Sequence, residues 1–268
     1  MITTQKVYLG EHPIQDVRFG QHKVISKAEG LLERYIGDSC VLFLDSVDGL
    51  SYEGYGANTW YDLSQNNNVD IGRVKEFWSN STKYWTLNDT ITSDEYGIAP
   101  ATNSFDIFDG DFTIQFVGAI DATSGAAGKD LCAAFTFGSS SANPGVIFYV
   151  VRNNLDANYK KVDLVLNGTS VGISTGDVFD TLGDFFMLHI VRSGSTITYY
   201  KDGSSIGTGS SSANANNNND LHLMLPNAET NTNFIWNGKY AHLGFYDKAL
   251  SSDERQQNLD YFKNKLNF

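Results

Sequence analysis

The chain has 268 residues, 41% of them hydrophobic and 13% aromatic, with only 19% charged and a formal net charge of -12. This is ample apolar material for one large core, which excludes a disordered chain, and the acidic balance leaves no basic stripe for nucleic acid or an anionic bilayer. No apolar run is long enough to span a membrane, and Met1-Ile2-Thr3-Thr4-Gln5-Lys6 lacks the apolar centre of a secretory leader, so nothing points to classical secretion.

Residues 1–30 differ from the rest. Val7-Tyr8-Leu9-Gly10-Glu11-His12-Pro13-Ile14 is echoed ten residues later by Val17-Arg18-Phe19-Gly20-Gln21-His22-Lys23-Val24. Each copy reads as a short strand, a Gly turn and a second short strand. Two such units are too small to own a core. Residues 1–30 are therefore expected to form a small β arm for anchoring or assembly, with Tyr8, Leu9, Ile14, Phe19 and Val24 as its apolar contacts. His12 and His22 lie near the turns without further metal ligands around them. Such repeats resemble the N-terminal segments of some bacteriophage tail and virion proteins. That resemblance implies a virion location, with other virion proteins as partners through the arm and self-association into a homo-oligomer.

From residue 31 onward the pattern is that of a turn-rich β protein. Cys40 to Leu44 is a continuous apolar strand. The next distinctive stretch is Thr59-Trp60-Tyr61-Asp62-Leu63-Ser64-Gln65-Asn66-Asn67-Asn68. Two readings are open for it. Trp60 as an aromatic platform, with Asp62, Asn66 and Asn68 beside it, has the make-up of a sugar or calcium site. Alternatively Trp60 packs into the sandwich and Asp62 ties down its loop, and this is the favoured reading. Tyr159 is a second candidate platform. Phe77, Trp78, Tyr84, Trp85 and Leu87 cover one edge of a sheet.

Ser104 to Phe108 and Asp111 to Ile120 are expected to pair through Asp109-Gly110, with Phe112, Ile114, Phe116 and Ile120 on one face. Leu131 to Phe137, Val146 to Arg152 and Lys160 to Leu166 follow as strands. Asp184 to Arg192 and Ser195 to Lys201 form a hairpin, and Asp202-Gly203 turns into a short edge at Ser205 to Gly207. Gly207 to Asp220 is a Ser/Asn-rich surface loop. Tyr240 to Tyr246 is the last strand. Ser251-Ser252-Asp253-Glu254 is a capping box, opening a helix with Leu259, Phe262 and Leu266 on one face. Cys40 and Cys132 sit in apolar strands and read as buried thiols, a disulfide being the alternative. The sequons at Asn80, Asn88 and Asn167 read as chance in an Asn- and Thr-rich chain.

Four of these segments, in order and spacing, resemble the concanavalin A-like, laminin-G-like jelly rolls. They are Thr59 to Asn68, Asp111-Phe112-Thr113-Ile114 with Phe116, His189 to Thr208, and Gly238 to Ser251 with its Ala249-Leu250-Ser251 turn. The expected fold is an all-β, two-sheet antiparallel jelly-roll sandwich over residues 31–268, with a short C-terminal helix and the small N-terminal arm. The resemblance further implies a calcium ion at the sandwich rim. Asp45, Asp48, Asp62 and Asp156 offer the hard oxygen ligands for it. No other cofactor is expected.

Catalytic patterns are scarce. Glucanases of this fold carry Glu-x-Asp-x-x-Glu on one strand, whereas here Glu53, Asp94-Glu95 and Glu229 stand apart. There is no His-Glu-x-x-His, P-loop or dinucleotide fingerprint, and no nucleophile elbow is recognised. The expectation is a non-enzymatic virion structural protein of tail, baseplate, fibre or capsid decoration. The alternatives are a host-glycan-binding adhesin module and a polysaccharide hydrolase.

Overall fold

A computed structural model describes residues 7–9, 12–14, 34–64, 67–87, 97–100, 107–121, 129–137, 145–153, 160–174, 181–215, 220–224 and 236–268. In chain order the strands are β1 (Val7–Leu9), β2 (His12–Ile14), β3 (Cys40–Asp45), β4 (Thr59–Trp60), β5 (Val69–Asp70), β6 (Trp85–Leu87), β7 (Gly97–Ala99), β8 (Phe112–Ile120) and β9 (Lys129–Phe137). They continue with β10 (Val146–Asn153), β11 (Lys160–Leu166), β12 (Thr169–Ser170), β13 (Ile173–Ser174), β14 (Phe186–Ser193), β15 (Thr196–Lys201), β16 (Ser204–Ser210), β17 (Leu221–Leu223) and β18 (Gly238–Tyr246). Helix α1 (Ser252–Leu266) closes the chain.

The strands form two large antiparallel sheets. One runs β12-β11-β10-β9-β17-β7-β5-β4, with β13 also on β11; the other runs β16-β15-β14-β8-β18-β3, with β6 also on β18. The expected two-sheet sandwich with a C-terminal helix is the observed fold. Its core lies between the sheets and is strongly aromatic. Phe116 sits at the centre of β8, opposite Leu188 on β14 and Leu243 on β18. Its ring meets Trp236 at 4.6 Å and Tyr240 at 5.0 Å, while Phe135 from the facing sheet meets Phe245 at 5.0 Å. Such edge-to-face contacts add to the burial of each ring.

Phe112, Ile114, Phe116 and Ile120 share the core face, as their alternation requires. All nine residues of β8 are nevertheless buried, because α1 covers the other face of this sheet. Leu259 and Phe262 pack there against Phe43, Val117, Met187 and Tyr246. Full burial of each such side chain contributes about 1.5–3 kcal/mol. The capping box forms as predicted: Glu254 N–H donates to Ser251 Oγ at 3.3 Å, and Ser251 N–H donates to Glu254 Oε2 at 2.8 Å. Asn267, in the left-handed region at φ 57°, ends the helix.

Some expectations need adjustment. Ile107 and Phe108 lie in a turn rather than a strand; Phe108 drops into the core against Phe112 at 5.2 Å. The edge strand after Asp202-Gly203 runs to Ser210, longer than the predicted 205–207. Leu266 is only half-buried, and the helix spends part of its inner face on Asn258 and Tyr261 instead. Cys40 is a free, buried thiol, while the Cys132 side chain lies outside the described residues. In the arm, Tyr8 and Leu9 pair in register with Pro13 and His12, and Ile14 pairs with Val7, making the first copy a hairpin. The second copy, with Phe19 and Val24, lies outside the described residues.

Candidate functional site at the sandwich rim

Strand β3 is an edge strand, and its outer hydrogen-bonding side would be open. Stretches on either side of β4 close it. Phe43 N–H donates to Asp62 Oδ1 at 2.7 Å, and Leu63 N–H donates to Phe43 O at 3.0 Å. Asp45 N–H donates to Ser51 Oγ at 3.0 Å, and Val41 O accepts from Ser64 Oγ at 3.0 Å and Asn67 Nδ2 at 3.2 Å. Side chains thus stand in for a neighbouring strand, satisfying backbone groups that are otherwise orphaned and an invitation to foreign chains. Asp62 also accepts from Ser64 N–H at 2.9 Å, Ser64 Oγ at 2.7 Å and Asn67 N–H at 2.9 Å. Asn68 is exposed and contributes by accepting from Asp62 N–H at 3.0 Å.

Trp60 is no surface platform. It is fully buried, 4.3 Å from Trp85 and 6.1 Å from Tyr240, in a cluster that Tyr52 extends to Trp85 at 4.9 Å and Trp78 at 4.8 Å. The indole N–H groups of Trp60, Trp78 and Trp85 have no hydrogen-bond partner, so these rings are fixed by contacts of their faces and edges. The loop reading is the one these positions follow. Asn66 and Tyr159 lie outside the described residues.

The proposed calcium ligands meet a different cation. Arg34 Nη1 lies 2.5 Å from Asp48 Oδ2 and 3.5 Å from Asp45 Oδ2, and it donates to Tyr261 Oη at 2.9 Å. Tyr261 in turn donates to Asp45 Oδ2 at 2.8 Å. Asp45 and Asp48 therefore face a guanidinium, and Asp62 is committed to the β3 edge, an arrangement that speaks against these three as calcium ligands; Asp156 lies outside the described residues. Among the described residues no three carboxylate, His or Cys side chains converge on a point. Burial pushes the Asp45 carboxyl up to about 6, against the opposing pull of Arg34 and Tyr261. That is the range of a general acid, yet Asp45 is fully buried with its oxygens engaged.

Other polar groups are sealed beneath α1. His242 Nδ1 lies 2.7 Å from Leu44 O and its Nε2 lies 2.9 Å from Gln115 Nε2, whose own oxygen accepts from Asn258 Nδ2 at 2.9 Å. The network is satisfied by a neutral ring with the proton on Nδ1. His189 is fully buried with neither ring nitrogen partnered. Burial, helped by the nearby Arg255 charge, pushes it down to about 3. Two stretches spell Gly-x-Ser-x-Gly, 168–172 across β12 and 203–207 leading from a turn into β16, and in both the serine lies in a strand. Neither is a strand-to-helix elbow.

What the rim does show to solvent is the loop after Asp48. Leu50 (66% exposed) and Tyr55 (61%) stand out there as exposed large hydrophobics among the described residues. Ala57 N–H donates to Gly54 O at 3.0 Å, making Gly54–Ala57 a tight turn with Tyr55 at its apex and Gly56 at φ 86°. A positive φ at the third position of such a turn calls for glycine. Tyr52 Oη donates to Ala57 O at 3.2 Å, welding the turn to the aromatic cluster. The sequence carried a signal for this in Gly54-Tyr55-Gly56, a bulky ring between two residues that break strands.

No protein-family model matches the sequence, and no curated protein matches it significantly. Among solved structures, the chain is similar to Trypanosoma rangeli sialidase in its covalent complex with 2,3-difluorosialic acid (TM-score 0.57, 10% identity, 84% of this chain and 33% of the sialidase). It is also similar to the receptor-binding domain of botulinum neurotoxin D (TM-score 0.57, 13% identity, 85% of this chain and 53% of that one). The chain spans about a third of the former and half of the latter. At these identities the likeness is one of fold.

Proposed function

We propose that the sandwich is a non-enzymatic carbohydrate-recognition module, carried by the N-terminal arm on a larger assembly. The observation that carries this reading is the orientation of the rim: Asp45 and Asp62 are turned inward and bonded, while Tyr55 is held outward. A hydrolase needs carboxyl groups facing a cleft; a binding module needs a rigid apolar surface edged with polar groups. The kinship of fold with a toxin's receptor-binding domain and with a sialidase agrees with this in general terms. The virion location and the homo-oligomer belong to the same proposal and rest on the arm repeat, with residues 1–30 as the anchor. From Arg34 onward the chain is part of the sandwich, since Tyr35 N–H donates to Asn258 Oδ1 at 2.5 Å and Tyr246 Oη donates to Tyr35 O at 2.8 Å. A chain starting at Gly30 is therefore expected to stay folded while losing incorporation into the assembly.

The binding claim is tested by affinity electrophoresis of the whole chain through gels containing mannan, galactan or β-glucan, with reducing ends assayed in parallel. Retardation without release of reducing sugar is expected. Release of reducing sugar contradicts the non-enzymatic reading, and free migration through every gel contradicts recognition.

A further inference from the structure

We infer that the Gly54–Ala57 turn is the saccharide-binding platform of the sandwich, with the Tyr55 ring as its stacking surface and Asn58 and Asn80 as its flanking polar groups. This inference rests on the carbohydrate reading above and gives it a place and a ligand class. Four observations carry it. Tyr55 is exposed at the apex of a turn whose ends are both fixed, by the Ala57–Gly54 hydrogen bond and by the Tyr52 hydroxyl. Backbone fixed this way needs no ordering on binding, so only the two side-chain torsions of Tyr55 remain to be ordered by the ligand. The turn rests on the buried aromatic cluster: a Cβ built on Gly54 would lie 3.7 Å from the Trp78 ring. Polar side chains lie close to the turn. The same Gly54 position lies 3.2 Å from Asn80 Oδ1, and Asn58 follows the turn directly, its Oδ1 accepting from Lys75 Nζ at 2.9 Å. Both asparagines are exposed.

An aromatic face bordered by amides suits a pyranose, which offers an apolar C–H face and a belt of hydroxyls. The charge around the turn selects among sugars. Glu53 and Asp70 are exposed beside it. Lys75 is engaged by Asn58, and Lys83 lies over the Trp78 ring at 5.4 Å. With a chain charge of -12 behind it, the site disfavours an anionic sugar and favours a neutral hexopyranose.

The test compares the full chain with Tyr55→Ala and Asn80→Ala, titrated with oligosaccharides cut from mannan, galactan and β-glucan, and with sialyllactose as the anionic probe. Both changes are on exposed side chains, and thermal melts confirm folding. The expected result is measurable affinity for a neutral oligosaccharide, lowered about tenfold or more by Tyr55→Ala and about threefold by Asn80→Ala, with melting temperatures unchanged. Wild-type affinity retained in Tyr55→Ala overturns this site while the carbohydrate reading stands. Preference for sialyllactose overturns the ligand class. Absence of affinity for every saccharide overturns the carbohydrate reading and this inference with it, and leaves the turn as a contact for protein.

Discussion

Trp60-Tyr61-Asp62 and Gly54-Tyr55-Gly56 lie within ten residues of each other, and they have opposite fates. The first has the composition of a sugar site, an aromatic ring beside a carboxylate and amides, and it is framework: Trp60 is fully buried and Asp62 is 4% exposed. The second has no charged group at all, and it reaches solvent. Backbone demand decides between them. The β3 edge needs acceptors and donors at fixed spacing, and Asp62, Ser64 and Asn67 supply them. Once a polar side chain is satisfying a buried backbone group it is no longer available to a ligand. Composition near a rim is thus a poor guide to recognition; what matters is which groups the fold has already consumed.

Substitutions can break this contrast, beginning with the framework. Trp60→Ala removes the ring that packs on Trp85 and Tyr240, and it is expected to cost about 3–5 kcal/mol in chemical denaturation. Asp62→Ala orphans the Phe43 and Asn67 amides, with an expected cost of about 2–3 kcal/mol. It also reopens the β3 edge, so concentration-dependent self-association in light scattering should accompany the loss. If Asp62→Ala is as stable and as monodisperse as the parent, the edge-closing role is wrong.

The seam beneath α1 sharpens the contrast through pH. His189 is held at about 3 in the fold against 6.5 when unfolded, so only the unfolded chain takes up that proton between these values. Stability present above pH 6.5 is lost as pH falls toward 3, by about 2 kcal/mol between pH 6.5 and 5. His242 and His222 are also lowered, chiefly by burial, and act in the same direction. Asp45 opposes them: raised from 3.8 to about 6, it binds a proton more tightly in the fold, which favours the fold as pH falls through 6. Melting temperature should therefore fall on acidification, and less steeply in His189→Leu. An unchanged slope in that variant would locate the titration elsewhere. The smallest stability effect is expected at the exposed turn, where Tyr55→Ala should stay within about 0.5 kcal/mol of the parent.

The fold was legible where local rules act alone. Alternation placed Phe112, Ile114 and Phe116 on the core face, and the Ser251/Glu254 pair marked the helix start to the residue. The rim was less legible, because its outcome depends on pairings across the chain. Arg34 reaches Asp48 over fourteen positions and Tyr261 over two hundred and twenty-seven, and no spacing in the sequence announces that a guanidinium stands where calcium was expected. The outer face of β8 shows the same limit. Gln115 reads as a solvent-facing residue until α1 folds over it and Asn258 claims its oxygen. The role of Tyr55 is not legible in the sequence, because a lone tyrosine between glycines resembles any loop; its turn is tied down by the Tyr52 anchor, itself a consequence of the aromatic cluster.

The most direct measurement is a backbone-amide NMR titration of the intact chain with a neutral oligosaccharide drawn from mannan, galactan or β-glucan. The account predicts shifts gathered at residues 50–58 and 79–83, with residues 60–64 unmoved. Shifts centred on 60–64, or spread over a different face of the sandwich with 50–58 silent, would contradict it.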